Sequence, residues 1–234
     1  MIILLKLILA HLIADFILQP KAWVEDKERN KSRSAFLYLH SLLHGVISLL
    51  ILWDLELWII AVIIAASHMI IDLIKAYSQN KAKQTVWFII DQIAHLLVIL
   101  MLWLVAIKPD LHVSIEAKEN LIVYSTAIVF LSFPVAVLIK MLMRNWTVKI
   151  HDDKGISLSN AGQYIGILER LLVFVFVVGG HWEAVGFLIT AKSVFRFGDM
   201  RESKDRKLTE YILIGTLMSF GIALLTGLCV TSIV

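Results

Sequence analysis

The sequence is poor in cysteine and lacks the loops and arms that bind nucleotides or nucleic acids. Its only cysteine, Cys229, lies in an apolar run, which excludes an intrachain disulfide framework and a thiolate-rich zinc finger. The eleven glycines form no phosphate-binding loop, and no basic amphipathic segment suited to nucleic acid is present. Nucleic-acid binding is therefore not expected.

Charged residues are also scarce, and apolar residues replace them in long blocks. Only 18% of the 234 residues are charged, whereas 59% are hydrophobic, and the mean hydropathy is +0.82. A membrane-spanning helix needs about 20 mostly apolar residues. The sequence therefore predicts an all-α polytopic membrane bundle of about eight helices. The predicted spans are 1–19, 35–53, 57–77, 86–107, 120–142, 162–179, 181–198 and 208–232.

Prolines and glycines mark several helix ends. The first span is interpreted as a retained helix and not a signal peptide, because no small-residue cleavage site follows it. Pro20 and Pro109 come just after the first and fourth spans, where a helix should stop. Pro134 should kink the fifth span. Gly179 and Gly180 should form a tight hairpin between the sixth and seventh.

Lysine and arginine alternate between the loops in a way that predicts the orientation. Every second loop is rich in these residues, and the loops between them are nearly empty of them. The basic segments are 20–34, 75–85, 140–154 and 196–207. By the positive-inside rule they face the cytoplasm. Both termini of this multi-pass inner-membrane protein should therefore face outward.

Each of the first four spans carries one pair of His or Asp residues spaced i, i+4. Residues at this spacing share one helix face, and the predicted topology places all four pairs at one depth of the cytoplasmic leaflet. The pairs are His11 and Asp15, His40 and His44, His68 and Asp72, and Asp91 and His95. An Asp near a helix centre costs roughly 3 kcal/mol on the insertion scale. These groups should therefore face inward and be compensated.

A divalent cation would neutralise the carboxylates and use the imidazoles as ligands. Nitrogen and oxygen ligands favour zinc, with manganese and iron as alternatives. Because eight ligands exceed the four of a tetrahedral zinc, either two ions bind or some residues form an outer shell. A purely structural polar core and a proton or ion pathway through the same residues stay open as alternatives.

Polar residues beside the pairs are candidates for orienting a ligand or binding an anionic substrate. Gln19 and Gln92 adjoin the pairs. Lys75 lies one turn beyond Asp72, where it either binds a phosphate or extends to the lipid headgroups.

The chain divides into a first half, 1–107, which carries the pairs, and a second half, 108–234. The second half has a polar loop at 144–160 that could cover the site. Charged residues in its later spans suit either an anionic substrate or internal ion pairing. These residues are Glu169, Arg170, Lys192 and Arg196.

Four segments resemble the motifs of a known family. HLIADFILQ (11–19), LHSLLH (39–44), HMIIDLIK (68–75) and DQIAH (91–95) are similar to motifs of the bacterial and phage membrane family known as domain of unknown function 3307. The resemblance covers about residues 8–107, and later stretches such as GQYIGILER resemble the longer members. It implies an integral membrane protein but no particular reaction. The His-x-x-x-Asp helices are also similar in style to a family labelled inner-membrane metal-dependent hydrolases.

The leading hypothesis is a metal-dependent membrane hydrolase that acts on an anionic substrate, such as a phosphorylated lipid or a nucleotide. Asp15, Asp72 and Asp91 are the candidate catalytic carboxylates, as general base or as ligands of the ion that activates water. A metal-ion or proton-coupled transporter and a di-iron lipid oxidase are the alternatives. The chain lacks the adjacent His pair typical of such oxidases. Membrane lipid is the expected partner, and a homo-oligomer is left open.

Overall fold

The computed structural model of the chain describes residues 1–107, 119–146, 161–197 and 203–234. All secondary structure in these ranges is helical, which confirms the predicted all-α class. The chain forms two compact units, Met1–Val129 and Phe130–Val234, and each is described by itself. Pro109 and residues 147–160 of the predicted polar loop lie outside the described residues.

Four apolar helices and one short polar helix build most of the first unit. They are α1 (Ile2–Phe16), α2 (Lys21–Asn30), α3 (Ala35–Leu52), α4 (Trp58–Ser78) and α5 (Gln84–Leu102). The helix α3 packs against α1 and α4, and α5 packs against α4 and α1. The four apolar helices therefore close a ring. One end of this ring is filled by an apolar cluster of Leu7, Leu52, Ile60, Ile64 and Ile99.

The remaining helices follow α5 and are mostly apolar. They are α6 (Asn120–Leu131), α7 (Phe133–Leu142), α8 (Ala161–Val178), α9 (Trp182–Phe197) and α10 (Ser203–Ile233). In the second unit α8 packs against α10 and α9, and α7 contacts both α8 and α10. The turn between α8 and α9 contains Gly179 and Gly180, as predicted. Gly180 has a φ of 75°, in the left-handed region that glycine adopts readily.

Two prolines lie at the start of a helix, and the first of them makes the structure differ from the sequence prediction. The helix α1 ends at Phe16, and α2 begins at Lys21 with its axis bent by 81° from α1. The basic segment predicted as a loop is therefore partly helical, and Pro20 is its N-cap. In the fifth span, where a kink was predicted at Pro134, α6 ends at Leu131 and α7 begins at Phe133 with Pro134 in its first turn, while Asn120–Leu142 still counts as one span. Proline fits the first turn because its missing N–H is not needed there.

Six helical segments within the described residues are long and apolar enough to cross a membrane. The bent pair of α1 and α2 raises this number to as many as seven if it counts as one span. The six are Ala35–Leu52, Leu55–Ser78, Gln84–Val105, Asn120–Leu142, Ala161–Val178 and Glu210–Ile233. This result agrees with the expected membrane protein of many spans.

The contact between α3 and α4 depends on a glycine. A Cβ atom on Gly45 would lie 3.1 Å from both the Ala61 carbonyl oxygen and the Ala65 Cβ. We expect Gly45→Val to push α3 and α4 apart and to cost about 1–3 kcal/mol of stability. Thermal unfolding in detergent should then show a Tm lower by about 2 °C or more.

Gly186→Val is the matched control for this substitution. Gly186 is also in a helix, but a Cβ atom added there would have no neighbouring atom within 4 Å, so the variant should unfold close to the wild-type Tm. Equal losses of Tm in the two variants would show that helix propensity, and not the close approach of α3 and α4, explains the effect.

Candidate metal centre

The four predicted pairs meet inside the ring of α1, α3, α4 and α5. Each helix presents its two residues, one turn apart, on the face that points into the ring. The five imidazoles are at most 3% exposed, and the Asp15 side chain is 10% exposed. The structure thus brings together the predicted residues His11, Asp15, His40, His44, His68, Asp72, Asp91 and His95.

The Asp15 carboxylate is surrounded by four imidazoles, and we call these five residues the Asp15 group. Its Oδ1 lies 3.0 Å from His40 Nε2, 2.9 Å from His44 Nε2 and 3.5 Å from His68 Nε2. Its Oδ2 lies 3.7 Å from His11 Nε2. Four ring nitrogens from three helices therefore point at a single carboxylate.

Gln92 joins the Asp15 group to the rest of the cluster, as its position in the sequence predicted. Its amide nitrogen donates to Asp15 Oδ2 at 3.0 Å and to Asp91 Oδ2 at 3.3 Å. Its amide oxygen lies 3.3 Å from His11 Nε2. Such contacts fix the orientation of candidate ligands. Gln19 differs, because its amide nitrogen is buried without a hydrogen-bond partner among the described residues.

The remaining three residues, Asp72, Asp91 and His95, form the Asp72–Asp91 group. His95 Nε2 lies 3.5 Å from Asp91 Oδ1 and 3.9 Å from Asp72 Oδ1. The His68 ring connects the two groups, since it stacks on His95 with 3.9 Å between the ring centroids. Lys75 donates to Asp91 Oδ2 at 2.7 Å. This lysine therefore turns toward the cluster and not toward the lipid headgroups.

Lys27 also reaches this group, a contact that the sequence did not predict. Its ammonium donates to Asp72 Oδ2, and its side chain is buried. The helix α2 holds it in place because Trp23 stacks on Phe36 of α3 with ring centroids 5.3 Å apart. A signal was present: Trp23 and Lys27 are spaced i, i+4 after Pro20, as on one face of a short helix.

The donor set fits a divalent cation. Three sets of ligand atoms each lie within 4.8 Å of one another, namely His11, Asp15, His44 and His68; His40, His68 and Asp72; and Asp72, Asp91 and His95. Two ligands of a tetrahedral zinc lie roughly 3.3 Å apart, given metal–ligand distances of about 2.0–2.1 Å. The separations of 2.9–3.5 Å between Asp15 Oδ1 and its imidazole neighbours lie around that value.

The Nε2 atom of His40 has two close polar neighbours. His40 Nε2 lies 3.0 Å from Asp15 Oδ1 and 3.1 Å from His68 Nε2. A neutral imidazole has one N–H, which cannot point straight at both atoms. Ring nitrogens and carboxylate oxygens at these separations lie close enough to share a metal ion. The cluster can therefore hold a metal ion.

A comparison with protein families adds an independent observation. The model of the family described as protein of unknown function DUF3307 matches residues 3–123. The chain belongs to this family. All eight clustered His and Asp residues, together with Lys27, Lys75 and Gln92, lie within the DUF3307 segment. No curated protein and no solved structure matches the chain.

The charged residues predicted in the second half lie beyond the DUF3307 segment, in the second unit. Glu169 and Lys192 form an ion pair with each other, which is the internal pairing that the sequence left as an alternative. Arg170 donates to the backbone oxygens of Leu131 and Ser132 at 2.7 and 3.0 Å. Arg196 belongs to α9, and its side chain lies outside the described part of the structure.

The contacts of Arg170 predict a structural role at the break between α6 and α7. Its guanidinium donates to two backbone oxygens there and to Ser219 Oγ at 3.1 Å. We expect Arg170→Ala to destabilise the protein by about 3 kcal/mol, because buried charge-assisted hydrogen bonds are lost. Arg170→Lys should not restore stability, since an ammonium cannot reproduce the fork of the guanidinium.

Thermal unfolding in detergent measures the loss of stability, and Ser219→Ala is a milder variant with which Arg170→Ala is compared. This variant removes one of the three bonds and should cost only about 1 kcal/mol. A fully stable Arg170→Ala protein would contradict the structural role.

Proposed function

We propose that the chain is an inner-membrane protein of about eight spans, with both termini outside, and that it is a metal-dependent hydrolase at the cytoplasmic leaflet. The spanning helices and the bent α1–α2 pair account for up to seven spans. The 16-residue α9 would be the eighth. In this topology α1 crosses the membrane for the bent pair, and α2 lies along the cytoplasmic interface, where its lysines and Trp23 are well placed.

The observation that carries the proposal is the environment of Asp15. Among the described residues this buried carboxylate forms no ion pair with a lysine or arginine, and its neighbours are four imidazoles and the Gln92 amide. A buried carboxylate is costly unless it is paired or binds a metal. A divalent ion in the Asp15 group would supply the missing positive charge, with zinc as the first choice and manganese or iron as alternatives.

A metal in this position supports hydrolysis. A bound zinc lowers the pKa of its water ligand and polarises a phosphoryl or acyl oxygen. The residues of the chain provide the rest: Asp72 or Asp91 accepts a proton from water as general base. Lys75 and Lys27 position the negative charge of the substrate. A phosphorylated lipid is the preferred substrate class because it shares the membrane with the site, and a nucleotide is the alternative.

The packing beyond the cluster favours a hydrolase over a transporter. A transport route would need polar groups on both sides of the ion site. On the side away from Lys27 and Lys75, the ring is instead filled mainly by buried apolar residues, namely Leu7, Leu52, Ile60, Ile64 and Ile99. The polar residues on this side are few: Ser48 is buried, and the Lys6 ammonium donates to the Leu52 backbone oxygen. The site we propose therefore opens on the cytoplasmic side alone.

Metal analysis of the purified protein is the first test. We expect at least one zinc, manganese or iron ion per wild-type chain. Asp15→Asn and His68→Ala should lower this content to background, because each removes a ligand at the centre of the Asp15 group. His181→Ala is the matched control and should keep the metal, since His181 is an exposed residue outside the cluster. A wild-type protein that stays folded and active without metal would end the proposal.

The reaction is tested in vesicles that contain phosphatidate as the probe lipid. We expect wild-type protein to release inorganic phosphate and Asp15→Asn to reduce the rate at least about 100-fold, because a ligand of the ion is lost. The His181→Ala rate should equal the wild-type rate. Zinc flux into the vesicles that His68→Ala abolishes, without phosphate release, would instead support the transporter.

A further inference from the structure

The cations in the cluster are distributed unevenly between its two groups. Lys27 pairs with Asp72, and Lys75 pairs with Asp91 at 2.7 Å. The two carboxylates and the two ammonium groups balance, so the Asp72–Asp91 group is neutral if its imidazole is neutral. The Asp15 group carries one negative charge if its imidazoles are neutral. A divalent ion would therefore enter the Asp15 group first.

The Asp72–Asp91 group nevertheless presents free ligand atoms. Both lysines bind the Oδ2 atoms of their carboxylates, and both Oδ1 atoms face His95 Nε2 at 3.5 and 3.9 Å. Asp91 and His95 are each 3% exposed. Asp91 Oδ1 and His95 Nε2 have no hydrogen-bond partner among the described residues. These two buried ligand atoms make no hydrogen bond and lie 3.5 Å from each other, an arrangement that a cation bound by both would explain.

We propose that the Asp72–Asp91 group is a second, weaker site for a divalent cation, and that Lys27 and Lys75 hold its affinity down. This inference rests on the proposed first ion in the Asp15 group. An ion bound by Asp72, Asp91 and His95 would add two positive charges to a buried group that the lysines already neutralise. At low dielectric, that repulsion is strong. Removal of either ammonium relieves it.

Zinc titration of the full-length protein in detergent tests this arrangement, with the bound zinc counted by elemental analysis after equilibrium dialysis. Wild-type protein should bind one ion tightly and a second only at higher free zinc. Lys27→Met should lower the Kd of the second ion at least about tenfold and leave the first unchanged. Lys75→Met should act in the same direction. The control Lys21→Met removes an exposed lysine of α2 that pairs with Glu25 and should change neither Kd.

Ligand variants separate the two sites. Asp91→Asn should abolish the second ion and keep the first, whereas Asp15→Asn should abolish the first and keep the second. Lys27→Arg keeps the positive charge and should leave the second site weak. Size-exclusion chromatography checks that each variant is folded. If Lys27→Met fails this check because Asp72 loses its partner, Lys75→Met and Asp91→Asn decide the question.

The outcomes distinguish failure of this inference from failure of the proposed function. Wild-type protein that binds no zinc at any concentration contradicts both. One tight ion with no second site in Lys27→Met or Lys75→Met overturns the second site alone. If the wild type binds two ions with equal affinity and neither lysine substitution changes this, the lysines do not lower the affinity of the second site.

Discussion

The carboxylate of Asp15 imposes the constraint on which the first unit depends. A carboxylate buried in an apolar bundle must be hydrogen-bonded, paired or bound to a cation. Its polar neighbours come from α1, α3, α4 and α5, so all four helices must be packed in register around one point. Gly45 contributes to this packing, because the absence of a side chain lets α3 approach the backbone of α4 at Ala61. The packing of the four helices therefore also determines the geometry of the site.

The bend between α1 and α2 brings a lysine to one of the other two carboxylates of the cluster. Lys75 on α4 pairs with Asp91, but the cation for Asp72 comes from α2, which lies outside the ring. The chain can deliver Lys27 because it turns by 81° after α1. The stacking of Trp23 on Phe36 then fixes α2 against α3. A segment that looks like an ordinary basic loop thus completes the charge balance of the cluster.

The sequence predicted the four His and Asp pairs better than it predicted the contacts of the two lysines. A spacing of i, i+4 determines that two residues share a helix face whatever surrounds the helix, so the four pairs could be identified without a structure. A lysine near a membrane surface has the same sequence signature whether it contacts lipid headgroups or a buried carboxylate. Only the path of the chain decides between them. That is why Lys27 was missed and why the direction of Lys75 stayed open.

Arg170 and Asp15 are buried charges that are compensated in two different ways. At the break before Pro134 the Arg170 guanidinium donates to the backbone oxygens of Leu131 and Ser132, so this charge is used within the fold. Asp15 has no comparable cation among the residues that the structure describes. Its neighbours can neutralise it only if an imidazole carries a proton or if a cation binds. One protonated imidazole would be enough for the first route, whereas the Asp15 carboxylate and three imidazoles lie close enough together to share an ion and match the four ligands of a zinc site. The excess of imidazoles around Asp15 therefore argues for a binding site and against a device for packing alone.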